Sequence, residues 1–258
     1  GRRRPSPAAR RRQAPPPPRH RRSGGAAQVG GGFDDLRLLV GLAEPDLAPA
    51  ALDADANPHL LVLGAAGSGR TALLRACCRE VVRSRVPGRA QLLVVDPRRS
   101  LLGEVPPEHL LAHAPSAEAA AAALADLATY LRRRLPGPEV TPRELRERSW
   151  WSGAEVFVVV DDADLLADGP WSAGDRGGPL GPLLPLLPHA RDVGLHLLLA
   201  QRAPNDPRAA VPRSEAAEAL ARLGAAVLTL DGRDGRAELA LRGRPPVTVQ
   251  LAWAPPRG

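Results

Sequence analysis

The stretch His59-Leu60-Leu61-Val62-Leu63-Gly64-Ala65-Ala66-Gly67-Ser68-Gly69-Arg70-Thr71 decides how this chain is read. Residues 59–63 are a short apolar run of strand length. Residues 71–85 place Leu73, Leu74, Cys77, Val81 and Val82 on one helical stripe, which Pro87-Gly88 ends. Between strand and helix, Gly64, Gly69 and Thr71 match the phosphate-binding pattern G-x-x-x-x-G-K-[ST]. Glycines let backbone N–H groups turn inward around phosphate oxygens. The positive end of the following helix points at the same anion. Gly64, Gly67, Ser68, Gly69, Arg70 and Thr71 are therefore the candidate nucleotide-binding residues, with the Thr71 hydroxyl also offered to Mg²⁺. The alternative is a Gly-rich turn with no ligand.

Arg70 departs from the pattern. The usual Lys is a compact point charge reaching the β- and γ-phosphates. Arg is bulkier and planar, and is not interchangeable with Lys at such a site. Phosphate binding is expected to survive this change more readily than fast hydrolysis. The chain contains no Lys, Ile or Met, and all 35 basic residues are Arg. That usage reads as the bias of a GC-rich genome, so mutational pressure contributes to Arg70. The missing Met adds an expectation that the chain is a fragment or a processed piece.

A second motif is Val156-Phe157-Val158-Val159-Val160-Asp161-Asp162, an apolar strand delivering an acid at its C-terminal end in the Walker B manner. Asp161 is the candidate Mg²⁺ residue with Thr71. Hydrolysing P-loop proteins usually place Glu next, where it activates water. Here Asp162 is one methylene shorter, and small misplacements of a base cost orders of magnitude in rate. Many strands end in Asp, so specificity comes from the combination with the glycine loop. A third apolar run, 195–200, leads to Gln201-Arg202. Gln201 suits a sensor of the γ-phosphate or the water, whereas Arg202 either shares that role or pairs with a surface acid. Asp161, Asp162 and Gln201 are thus the catalytic candidates.

Composition narrows the alternatives. The net charge of +7 is a property of one end: residues 1–28 hold nine Arg and no acid. The remaining 26 Arg face 28 Asp and Glu, a balance near −2 that excludes a basic nucleic-acid-binding body. Cys77 and Cys78 are adjacent, which disfavours a disulfide and offers no metal spacing. They read as two small buried residues on a helix, in keeping with a reducing compartment. No apolar run reaches the ~18–20 residues of a membrane span.

Along the chain, residues 1–32 are rich in Arg, Pro and Gly and are expected to be a disordered linker or tail. The alternative is an arm that binds nucleic acid or anionic lipid. Residues 33–258 are expected to form one P-loop domain. Strands are expected at 36–42, 59–63, 91–96, 155–161, 195–200 and 225–230, with a turn containing Glu44, Pro45, Asp46 and Pro49 after the first. A closing β pair is expected at 237–241 and 247–251. Ser116 caps a long helix to about residue 135, Thr141 caps a short one at 143–148, and another helix spans 213–223. Residues 179–190 carry Leu at helical spacing but are broken by Pro182, Pro185 and Pro188, which leaves a distorted helix at most. Short apolar strands alternating with helices imply an α/β fold, a mostly parallel sheet covered on both faces.

Several segments together resemble the FtsK/SpoIIIE-type ATPases of type VII (ESX) secretion, best their last tandem ATPase domain, over about residues 36–230. They are Gly41-Leu42 through Leu47-Ala48-Pro49, Asn57-Pro58-His59-Leu60, Asp96-x-Arg98-Arg99-Ser100-Leu101-Leu102-Gly103 and Trp150-Trp151-Ser152-Gly153. Val159-Val160-Asp161-Asp162-x-Asp164-Leu165 and Pro188-His189-Ala190-Arg191-Asp192-x-Gly194-Leu195-His196 complete the set. The resemblance implies a RecA-like P-loop fold that uses ATP and Mg²⁺. It implies a module of a cytoplasmic motor held at the inner face of the membrane by the secretion complex. The implied partners are neighbouring ATPase domains of that motor, other copies in a hexamer, and small helical-hairpin substrates with a C-terminal signal. Downstream ATPase domains of this family often have degenerate catalytic motifs and act in substrate binding and regulation. Arg70 and Asp162 agree with weak or absent hydrolysis. Two other readings stay open: a DNA-translocating FtsK-type motor, and a docking module with a vestigial nucleotide pocket. The segment 96–100 reads as a sheet-edge or subunit contact, and Trp150-Trp151 as packing or interface.

Overall fold

Successive side chains on a strand point to opposite faces, so a wholly apolar strand needs cover on both sides. The computed structural model describes residues 37–44, 46–166, 177–203, 214–232, 235–252, 254 and 256. Its strands are β1 (Arg37–Ala43), β2 (Pro49–Asp53), β3 (His59–Gly64), β4 (Ala90–Val95), β5 (Leu110–Ala114), β6 (Glu155–Val160), β7 (Leu195–Arg202), β8 (Ala226–Leu230), β9 (Arg236–Ala240) and β10 (Val247–Leu251). Its helices are α1 (Arg70–Ser84), α2 (Ala117–Arg132), α3 (Pro142–Glu147), α4 (Ala190–Val193) and α5 (Glu215–Leu223).

The apolar strands divide their side chains between two buried clusters. Leu60, Val62, Leu92, Val94, Phe157, Val159 and Leu198 face one, which α1 covers through Leu73, Leu74, Cys77, Cys78 and Val81. Leu61, Leu93, Val95, Val158, Val160, Leu197 and Leu199 face the other, under α2, α5 and a 3₁₀ segment, Gly178–His189. Both cysteines are free and buried, and burial pushes the Cys77 thiol up to about 12.

The sheet order is β2-β1-β10-β9-β8-β3-β7-β6-β4-β5. The six strands from β8 to β5 are parallel, and β9, β10, β1 and β2 extend the sheet antiparallel. The α/β class and the mostly parallel sheet with helices on both faces are as expected. The carboxyl ends of the parallel strands share one edge, where open α/β sheets bind ligands. β7 separates the P-loop strand from the Asp161 strand, with Leu63 opposite Gln201 and Val160 opposite Leu199.

Some expectations are sharpened. β2 and β5, the two edge strands, are not among the expected strands; β2 begins at Pro49, the last residue of the expected turn. The closing pair is β9 with β10, and β10 also pairs with β1, Gly41 opposite Leu251. The distorted helix expected at 179–190 is a 3₁₀ helix, Gly178–His189. Proline recurs at 179, 182, 185 and 188, and Leu180, Leu183 and Leu186 keep the same period of three. Three residues per turn bury that Leu row and leave Pro185 and Pro188 exposed. Ser116 caps α2 by accepting from Ala119 N at 3.2 Å, and Thr141 forms a capping box with Glu144. Ser214 caps α5. Residue 213 and the expected tail at 1–32 lie outside the described residues.

Candidate nucleotide-binding site

The glycine loop is shaped by backbone that side chains would spoil. Gly67 and Gly69 adopt φ of 76° and 103°, a region costly for residues with a Cβ. A Cβ on Gly64 would fall 2.3 Å from Ser68 Oγ and 3.1 Å from Leu230 Cβ. Gly69 is the N-cap of α1, with no side-chain cap. The first N–H groups of the helix lack intrahelical partners, and the buried Ser68 Oγ has no hydrogen-bond partner among the described residues. Orphan amides, an orphan hydroxyl and a loop closed to side chains fit a phosphate group.

Arg70 turns back across this loop. Its Nη1 donates to the Gly64 carbonyl and, at 3.5 Å, to that of Ala65. Its Nη2 lies 2.6 Å from Asp162 Oδ1. The other Asp162 oxygen is taken by Arg98 Nε at 2.7 Å. Asp162 itself sits at φ 46°, a conformation that Asp tolerates better than most residues. Asp162 thus has one guanidinium on each carboxylate oxygen.

Asp161 is 1% exposed and accepts from Thr71 Oγ1 at 2.7 Å, so the two candidate Mg²⁺ residues touch. Burial is the main cause raising the Asp161 pKa. The Thr71 hydrogen bond opposes it, and Asp162 and Asp96 add to the rise. Gln201 is buried, one residue beyond Ala200 on β7, and accepts from Ser214 Oγ at 2.8 Å. Arg202 takes the acid-pairing alternative: its N donates to Asp164 Oδ1 at 2.8 Å, and Nε lies 3.8 Å from Oδ2.

The sheet brings the glycine loop, Asp161, Asp162 and Gln201 to one edge. Sequence reasoning missed Arg98 there, because strand adjacency is invisible in sequence and β4 neighbours β6. Trp150 and Trp151 belong to packing. Trp150 Nε1 donates to Arg134 O and Trp151 Nε1 to Asp192 O, each at 2.7 Å. The buried Arg134 guanidinium lies 4.0 Å from the Trp151 ring centroid and donates to the Val193 and Ala154 carbonyls. Among the described residues, no helix is long and apolar enough to cross a membrane.

Known proteins resemble this chain in sequence and in fold. The FtsK/SpoIIIE family profile matches residues 40–139. The ESX-4 secretion system protein EccC4 of Mycobacterium tuberculosis is 42% identical over 235 residues, covering 85% of this chain and 18% of that protein. The ESX secretion system protein EccC of Thermomonospora curvata is 41% identical over 165 residues, 64% of this chain and 12% of that one. The chain therefore spans less than a fifth of either relative. A structure of Thermomonospora curvata EccC (ATPases 2 and 3), in complex with a signal sequence peptide, matches with a TM-score of 0.77 and 32% identity. It covers 90% of this chain and 43% of that one. A glycine loop of this shape, on this sheet and with these relatives, makes the chain an ATPase domain of the FtsK/SpoIIIE family, homologous to those of the ESX type VII secretion EccC proteins.

Proposed function

We propose that this domain binds ATP with Mg²⁺ inside a type VII secretion motor, docks export substrates, and hydrolyses nucleotide slowly or not at all. The observation that carries the reading is the use of Asp162. Both its oxygens pair with arginines, one of them Arg70 in the P-loop lysine position. The buried pair with Arg70 keeps this carboxylate turned toward the P-loop arginine and poorly placed to draw a proton from water, so the site favours holding nucleotide over spending it. Gly64, Gly67, Ser68 and Gly69 would cradle the phosphates. Thr71 and Asp161 offer hard oxygen donors to Mg²⁺, which takes its remaining ligands from phosphate and water. Gln201 would face the terminal phosphate. Bound Mg²⁺ would supply charge neutralisation on the phosphates.

Substrate docking rests on the signal sequence peptide in the Thermomonospora curvata structure, and is proposed for helical-hairpin proteins bearing a C-terminal signal. The proposed setting is the cytoplasmic face of the membrane, with neighbouring ATPase domains supplying the remaining catalytic groups.

The test is calorimetric ATP binding and steady-state phosphate release on the full chain, with and without a substrate's C-terminal peptide. Saturable ATP binding with little turnover is expected. Rapid turnover would overturn the weak-hydrolysis reading, and peptide binding without any ATP binding would establish a docking module with a vestigial pocket. A DNA-translocating reading draws on the nine Arg of residues 1–28. It would be favoured by filter binding to DNA with a steep salt slope that survives removal of residues 1–32.

A further inference from the structure

Arg98 belongs neither to the glycine loop nor to the Asp161 strand, yet it reaches the same carboxylate as Arg70. Register brings it there. β4 lies beside β6 with Val95 opposite Val160, and Asp161 N donates to Val95 O at 2.9 Å. The residues just beyond β4 therefore meet those just beyond β6.

The turn that carries Arg98 is firmly built. Asp96 is fully buried, and its Oδ2 accepts from Leu101 N at 2.6 Å. Its carbonyl accepts from Arg99 N at 3.0 Å, and Pro97 fixes the intervening φ. Leu101, 2% exposed, pins the far side of the turn in the core. At the end of this rigid base the guanidinium itself is loosely held. The Arg98 side chain is 55% exposed, and among the described residues it pairs with Asp162 Oδ2. Arg70, in contrast, is buried and tied to two carbonyls as well as to Asp162.

Two guanidinium groups share one carboxylate at the mouth of the glycine loop, so either can leave it without stripping Asp162 of its counter-charge. In the P-loop pattern the residue at position 70 reaches the β- and γ-phosphates, and Asp162 lies at the tip of Arg70. A group beside Asp162 is therefore at the far end of the phosphate chain. A phosphoryl group offers a guanidinium two oxygens in matching geometry, whereas Asp162 offers Arg98 only one.

We propose that Arg98 reads the terminal phosphate. It exchanges its contact with Asp162 for that group and makes the site prefer a nucleoside triphosphate over a diphosphate. Asp162 then acts as a positioning residue that holds Arg98 over the site. This proposal rests on the nucleotide-binding reading above and adds a specificity-determining residue to it.

The test is calorimetric titration of the full chain with ATP and with ADP, each with Mg²⁺, for wild type, Arg98→Gln, Arg98→Lys and, as a charge control, Arg99→Gln. A thermal melt of each variant checks that the fold is kept. Arg98→Gln is expected to weaken ATP binding by about tenfold and ADP binding by less than about twofold, the loss of one charge-assisted contact. Arg98→Lys should recover part of the ATP preference, and Arg99→Gln should leave both affinities unchanged. If wild type binds both nucleotides and Arg98→Gln leaves their affinity ratio unchanged, the role of Arg98 is overturned while nucleotide binding stands. If wild type binds neither, the nucleotide reading itself fails.

Discussion

Arg70 and Asp162, 92 positions apart in sequence, meet at 2.6 Å with both side chains nearly closed to solvent. The longer Arg side chain spans what Lys cannot, a loop carbonyl at one end and the carboxylate at the other. Arg70→Lys should free Asp162 from one partner and restore a point charge to the phosphate cradle. Steady-state phosphate release is expected to rise about tenfold, a barrier change of about 1.4 kcal/mol. An unchanged rate would shift the limit to Asp162 or to an arginine supplied by a neighbouring domain.

The same pair makes a stability prediction. Removing one member of a buried ion pair strands the other charge, at a cost of about 3–5 kcal/mol, whereas replacing both by apolar residues is often near neutral. Asp162→Asn, which keeps a residue suited to φ 46°, should lower the urea midpoint strongly, and Arg70→Leu combined with Asp162→Asn should recover much of the loss. Additive losses in the double variant would contradict this account.

Gly64→Ala places a methyl group 2.3 Å from Ser68 Oγ. Overpacking of this kind costs about 1–3 kcal/mol, and here the neighbour that must yield is part of the phosphate cradle. A lower melting temperature together with weakened ATP binding is expected from one preparation. A variant that melts and binds like wild type would show that Ser68 moves aside freely.

His59 provides a pH dependence. Its Nδ1 accepts from Leu197 N and its Nε2 donates to Leu187 O, both at 3.2 Å, so the ring sits neutral between strand and 3₁₀ segment. Burial lowers its pKa from 6.5 to about 4; the Leu187 carbonyl opposes this and His196 adds to it. The unfolded chain therefore binds this proton first as pH falls. Stability is fully present above about 6.5 and is lost as pH drops through about 4, by about 3 kcal/mol in total. Urea unfolding of wild type and His59→Asn across that window should show a shallower acid loss in the variant. Parallel curves would remove His59 as the cause.

The central strands were legible because they are apolar on both faces, and β3, β6 and β7 read directly from Leu and Val runs. The edge strands were not. Pro49-Ala50-Ala51-Leu52-Asp53 and Leu110-Leu111-Ala112-His113-Ala114 are Ala-rich and pair on one side only, so neither β propensity nor alternation marks them. A Pro at the first position of an edge strand is tolerated there, although it reads as a turn. In the site, the glycine loop and Asp161-Asp162 follow from local pattern. The part played by Arg98 does not, because it depends on which strands are neighbours. At 179–190 the prolines mark a broken helix, and the shared period of three in Pro and Leu is what makes that distorted helix 3₁₀.

The pairing of β1 with β10 sets how the domain bears load. Gly41 faces Leu251 in an antiparallel ladder, so the first described strand and the last lie side by side, with residue 37 and residue 251 toward the same end. Tension applied through those two points opens the ladder one rung at a time, as a zipper, instead of shearing all its hydrogen bonds together. The antiparallel strands would part under a pull that leaves the parallel strands beneath the glycine loop untouched.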